Sequence, residues 1–167
     1  MIEKVAALIF EVYRNKGKIL ICGNGGLAAE SEHFAAELVG KFAQDVFIPC
    51  FALTTNSSLV TAIGNDLGFE QVFAHQVRVL GQKQDMLIAM TTSNSMNVVK
   101  ALEAAYLKEM KTVAICSERS LLCADVLVQL PGDDVAEVQN EVLKFLHQVA
   151  IAAKKEIYDQ PRAGKPQ

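Results

Sequence analysis

The chain has no patch of positive charge, no cysteine pair in CxxC spacing, no apolar run approaching the length of a membrane span and no secretory leader pattern at its start. Each absence excludes something. With 16 Lys and Arg against 19 Asp and Glu, the net charge is -3. Nucleic-acid faces draw most of their binding free energy from basic groups neutralising phosphates, so that class of partner is excluded. The cysteines Cys22, Cys50, Cys116 and Cys123 lie mostly in apolar runs, which reads as reduced, packed thiols rather than a disulfide framework or a redox pair. Without an apolar stretch of about 18 residues or a positive segment leading into an apolar core, the expectation is a cytoplasmic protein with no membrane contact.

What is present is a regular alternation. Val5, Leu8, Ile9, Val12 and Tyr13 recur at helical spacing up to Gly17, predicting an amphipathic helix over 2–16. Short apolar runs at 18–22, 49–54, 86–90, 112–116 and 126–130 read as strands. Helices are expected between them: 28–42, burying Phe34, Ala35, Leu38 and Val39; 57–64, capped by Ser57 and Ser58; 69–80; 95–110; and 134–158. Continuous rather than alternating apolar strands imply burial on both faces. With right-handed crossovers this specifies an α/β fold: a doubly wound, flavodoxin-like five-stranded parallel sheet in three α/β/α layers. We read residues 2–159 as a single domain and 160–167 as a disordered tail.

In such folds ligands bind at the carboxyl ends of the strands, where the winding reverses. Two loops fall there. Cys22-Gly23-Asn24-Gly25-Gly26 turns from the first strand into a helix and offers backbone N–H groups to an anion, with phosphate the natural guest. Thr91-Thr92-Ser93-Asn94-Ser95 follows the third strand and adds hydroxyl donors. Capping by Ser93 or Ser95 would account for one or two of these residues, but not for Thr91 and Thr92 as well. In the first of these helices His33 and Glu37 stand at i and i+4, a spacing that suits either a surface pair or a shared metal or proton-transfer task. His147 alone would read as an ordinary helix histidine, and His75 has no partner pattern and reads as structural.

Together these motifs, with His33-Phe34-Ala35-Ala36-Glu37-Leu38, Gly64-Asn65-Asp66, and Gln139 and His147 on the last helix, resemble the sugar isomerase (SIS) domain family and its phosphoheptose isomerase branch. The resemblance implies interconversion of sedoheptulose 7-phosphate and D-glycero-D-manno-heptose 7-phosphate for cell-surface heptose synthesis. It implies a Zn²⁺ site of His33, Glu37, Gln139 and His147, with Glu37 and His147 as the catalytic pair. Asn24, Gly25, Gly26, Glu37, Asn65, Asp66, Thr91, Thr92, Ser93, Ser95 and Gln139 fall on substrate contacts, and the family assembles as homotetramers. The alternatives are a non-catalytic phosphosugar-binding or partner-docking regulator, and an isomerase of another sugar phosphate. Two departures stand out: Leu27 occupies a position that is usually Ser, and the hydroxyl loop lacks the family's Gly.

One constraint is independent of the resemblance. Gln139 and His147 are separated by about 12 Å along a straight helix and point about 80° apart, so the expectation is a site completed at a subunit contact or a distorted last helix.

Overall fold

The structure, a computed structural model, describes residues 1–160. The expected tail lies, from residue 161 onward, outside the described residues. The elements run α1 (Ile2–Arg14), β1 (Ile19–Cys22), α2 (Gly26–Val39), β2 (Cys50–Ala52), α3 (Ser57–Leu67), a 3₁₀ turn (Phe69–Gln71), α4 (Val72–Leu80), β3 (Met86–Thr91), α5 (Met96–Leu107), β4 (Lys111–Ser117), β5 (Val126–Leu130) and α6 (Val135–Asp159). The five strands pair in parallel in the order β2-β1-β3-β4-β5. That is the flavodoxin-like order, and the winding reverses between β1 and β3.

Side chains alternate across the strands, so each face of the sheet builds its own core. Ile19, Ile21, Met86, Ile88, Met90, Val113 and Ile115 pack under α1, α2 and α6. Leu20, Cys22, Leu87, Ala89 and Ala114 pack under α3, α4 and α5. Every residue of β1 and β3 is buried, as their unbroken apolar runs imply.

Local chemistry shifts several boundaries. α2 begins at Gly26, two residues early, and stops at Val39 because Gly40 takes an extended conformation. Val39, expected in the core, is therefore about half exposed, at 49%. The cap of α3 is Asn56, whose Oδ1 accepts the Leu59 N–H at 3.0 Å, rather than Ser57 or Ser58. That helix continues to Leu67 and carries Asn65 and Asp66 in its last turn. Residues 69–71 form a 3₁₀ turn before α4 instead of joining it. Three cysteines are buried, but Cys123 is exposed, on a loop that the apolar sequence around it does not reveal. Burial pushes the Cys22 and Cys50 thiols well above the usual range, which removes their nucleophilicity. No described helix is long and apolar enough to cross a membrane.

One buried charge is unexpected. Lys154 of α6 is fully buried and donates from Nζ to the Gly40 carbonyl at 2.6 Å, tying α6 to the end of α2. Burial holds its amine below the usual lysine range despite attraction from Glu37 and Asp45. A lysine with a depressed folded pKa binds fewer protons folded than unfolded, so stability rises with pH between the folded value and about 10.4. Lys154→Met is expected to stabilise the fold by about 1 kcal/mol at pH 7, or roughly 3 °C in melting temperature. That advantage should shrink as pH is raised towards 10. Thermal melts at pH 7, 8.5 and 9.5 test this, and a gap that widens with pH would refute it.

Candidate functional site

The reversal of winding brings the two loops read from sequence side by side. β1 and β3 are hydrogen-bonded neighbours, so the turn after Cys22 and the loop after Thr91 open from adjacent carboxyl ends. Asn24 and Asn97 clamp them together through a reciprocal amide pair: Asn24 Nδ2 donates to Asn97 Oδ1 at 2.9 Å, and Asn97 Nδ2 donates back at 2.8 Å. Asn97 is buried, and the sequence places it at the end of the second loop without assigning it a role. Its only signal is its place in the first turn of a helix that follows the hydroxyl loop.

Each glycine of the first turn answers a different demand. Gly25 sits at φ 56° and ψ -123°, a conformation that strains any side-chain-bearing residue. A Cβ on Gly26 would lie 2.4 Å from Gln139 Oε1, so the bare backbone lets the α6 side chain seat on the start of α2. The Leu27 N–H donates to the Asn24 carbonyl at 3.0 Å and that of Ala28 to Gly25 at 3.0 Å. Those of Gly25 and Gly26 keep no backbone partner among the described residues, as expected at a helix start. Leu27 itself is buried in the core under α2.

The hydroxyl loop converges on itself. Thr91 Oγ1 donates to Ser95 Oγ at 3.1 Å and accepts the Ser93 N–H at 3.1 Å, while Ser93 and Ser95 hydroxyls lie 3.3 Å apart. Ser95 occupies the N-cap position of α5 without a side-chain capping bond. The simple capping explanation therefore fails, and the hydroxyls remain grouped at the strand ends. Asn65 and Asp66 stand exposed on α3, hydrogen-bonded to each other at 2.7 Å.

A second cluster lies further along α2. Its helical repeat puts His33 and Glu37 on one side, and α6 delivers His147 to the same point. His33 Nε2 is 3.0 Å from Glu37 Oε1 and 3.0 Å from His147 Nε2, and His147 Nε2 is 3.0 Å from Glu37 Oε1. The Phe42 ring lies beside the His147 imidazole, centroids 6.0 Å apart. Glu37 is buried while both imidazoles are partly open to solvent. Its second oxygen, Oε2, is buried with no hydrogen-bond partner. A buried carboxylate oxygen left alone is costly, so the arrangement is incomplete without a cation or a ligand.

The three ligand atoms lie within 4.8 Å of one another, a grouping able to hold a metal ion. Tetrahedral ligation by imidazole nitrogen and carboxylate oxygen at about 2.0–2.1 Å separates ligands by about 3.3 Å, close to the spacing found, so the donor set fits zinc. Gln139 sits elsewhere, against Gly26. α6 runs unbroken from Val135 to Asp159. Glu30, two turns before Glu37, holds another buried carboxylate oxygen without a partner, which sequence reading missed. His75 is half-buried in α4 and belongs to no metal-capable group among the described residues.

Residues 1–117 match the SIS domain family model. The chain is 40% identical over 154 residues to the phosphoheptose isomerase of Neisseria meningitidis serogroup C / serotype 2a, covering 87% of this chain and 78% of that protein. The chain belongs to the SIS domain family, in its phosphoheptose isomerase branch. This SIS domain is also 41% identical over 152 residues to the phosphoheptose isomerase of Helicobacter pylori, covering 88% of this chain and 79% of the relative. Among solved structures it superposes on phosphoheptose isomerase GmhA from Neisseria gonorrhoeae with TM-score 0.83 at 39% identity, covering 90% and 83% of the two chains. The enzyme from Francisella tularensis superposes with TM-score 0.87 at 32% identity, covering 92% and 85%.

Proposed function

We propose that this SIS domain is a phosphoheptose isomerase, interconverting sedoheptulose 7-phosphate and D-glycero-D-manno-heptose 7-phosphate for cell-surface heptose synthesis in the cytoplasm. The observation that carries the reading is the buried Glu37 carboxylate, met by two imidazoles at one oxygen and without a hydrogen-bond partner at the other. Such a group is poor as a structural device and suited to proton transfer. The named relatives at about 40% identity supply the reaction class.

Ketose-to-aldose conversion removes a proton from C1, passes through a cis-enediol and returns a proton to C2, while a hydroxyl proton moves from O1 to O2. Glu37 takes the carbon proton from C1 and delivers it to C2. His147, within hydrogen-bond reach of Glu37, carries the proton between the two oxygens. Asn24, Gly25 and Gly26 orient the sugar at the first turn, with Asn65, Asp66 and Gln139 as further contacts. Thr91, Thr92, Ser93 and Ser95 receive the phosphate. His33, Glu37 and His147 would hold Zn²⁺; Gln139, the fourth ligand by the family pattern, lies against Gly26 in the single chain and would join them only from a neighbouring copy. A zinc ion held there supplies Lewis-acid polarisation of a carbonyl oxygen.

Glu37 lies about 16 Å along α2 from Gly26, more than an extended heptose phosphate spans. This supports an assembly, a homotetramer by the family pattern, in which one copy's carboxylate cluster faces a neighbour's phosphate loop.

One assay tests these points. Purified protein with Zn²⁺ is expected to turn over sedoheptulose 7-phosphate, to lose at least tenfold activity on chelation, and to recover when Zn²⁺ is restored. No turnover alongside saturable sugar-phosphate binding would favour the regulator reading. Full activity eluting with a monomer would overturn the shared site.

A further inference from the structure

The phosphate loop proposed above contains no cation. Thr91, Thr92, Ser93 and Ser95 are neutral donors, and the imidazoles that could carry charge stand at the other end of α2. A phosphate monoester is close to a dianion at neutral pH, and neutral hydroxyls alone balance none of that charge.

The loop after β4 brings a cation to this place. Ser117 Oγ donates to the Thr92 carbonyl at 3.1 Å, and the Leu121 N–H donates to Asn94 Oδ1 at 3.2 Å, so both ends of the segment are tied to the hydroxyl loop. Between them Ser120 is buried against Ser117 at 3.1 Å, and Gln129 Nε2 donates to the Glu118 and Ser120 carbonyls at 3.2 Å each. Arg119 is thus carried on a braced turn. Arg119 lines a cleft of about 290 Å³ together with Ser93, Asn94, Ser120, Asp133 and Asp134.

Arg119 makes no ion pair and no side-chain hydrogen bond among the described residues, although two carboxylates share its cleft. Asp134 is instead turned to cap α6, accepting the Glu137 N–H at 2.9 Å. The backbone N–H of Asp133 donates to Glu137 Oε2 at 2.8 Å, which ties Glu137 to the start of its own helix. A guanidinium without a partner, in a cleft that also takes in Ser93, is a donor suited to bidentate recognition of a phosphate.

We infer that Arg119 is a specificity-determining residue of this protein, supplying the positive charge for the phosphate held at Ser93. The inference rests on reading the hydroxyl loop as the phosphate subsite. It selects phosphorylated over neutral sugars.

Titration calorimetry with inorganic phosphate, and steady-state kinetics with sedoheptulose 7-phosphate, test it on wild type, Arg119→Ala, Arg119→Lys and Glu118→Gln. Arg119→Ala is expected to weaken phosphate binding and raise KM at least tenfold, with kcat within about twofold. Arg119→Lys should recover part of the loss, and Glu118→Gln should match wild type. The dependence of phosphate affinity on salt should flatten in Arg119→Ala. Equal phosphate affinity in wild type and Arg119→Ala, or none in wild type, overturns the inference. Loss of phosphate binding in Arg119→Ala, with wild type inactive on every heptose phosphate tried, would leave the inference standing and remove the heptose reading.

Discussion

Glu37→Gln is expected to lower isomerase turnover by about 10²- to 10⁴-fold, the range for removing a positioned general base, without unfolding the protein. Gln is isosteric and keeps a carbonyl acceptor towards the two imidazoles, which lie 3.0 Å from Glu37 Oε1. It cannot accept a proton from carbon. Because Oε2 is buried without a hydrogen-bond partner, neutralising the group relieves part of its desolvation cost, against the lost attraction to Lys154. The melting temperature of the metal-free protein should therefore hold or rise, even as activity collapses. A variant keeping more than a tenth of wild-type turnover would show that another group carries the proton. Collapse of both activity and melting temperature would mark Glu37 as structural instead.

Gly23→Ala should produce the largest loss of stability among changes near the site. A Cβ there would lie 2.7 Å from Leu27 Cβ and 2.8 Å from the Leu27 carbonyl oxygen, contacts that no rotamer can relieve because they involve the first turn of α2. Leu27 cannot retreat, since it is buried against β1 and α6 residues. The first turn of α2 must shift, at a cost of about 3 kcal/mol in overpacking and lost core contacts, or roughly 10 °C in melting temperature. Gly25→Ala is a useful contrast. Its Cβ would meet nothing within 4 Å, so only the strained backbone at φ 56° opposes it, costing about 1–3 kcal/mol. Urea denaturation of both variants checks the order. A Gly23→Ala protein within 0.5 kcal/mol of wild type (well below the ~1 kcal/mol typical of point mutants) would mean that α2 is less firmly wedged than the packing indicates.

The strands and their order were legible from the alternation of apolar runs and helices. Continuous burial of Leu20, Leu87 and Ala114 on one face and Ile21, Ile88 and Ile115 on the other follows from strand geometry once both faces are covered. Helix ends were less legible. Gly40 stopping α2 three residues early, and Asn56 rather than Ser57 capping α3, depend on backbone angles and single hydrogen bonds that residue type only biases. Cys123 shows the same limit, because a thiol in an apolar stretch reads as buried until the loop around it is placed.

For the site, the sequence by itself determined the chemistry on offer. A glycine turn after a buried strand, a hydroxyl loop after another, and His33 and Glu37 one helical turn apart are local patterns, each dictated by a few neighbouring residues. Only tertiary structure could decide what meets what. His147 joins His33 and Glu37 from 110 residues away because α6 packs on α2, while Gln139 on the same helix falls at Gly26. The Asn24–Asn97 clamp and the approach of Arg119 to the hydroxyl loop likewise join segments far apart in the chain. Such meetings are set by sheet order and helix packing, which no local pattern encodes. Local pattern therefore names the groups, and packing selects which of them act together.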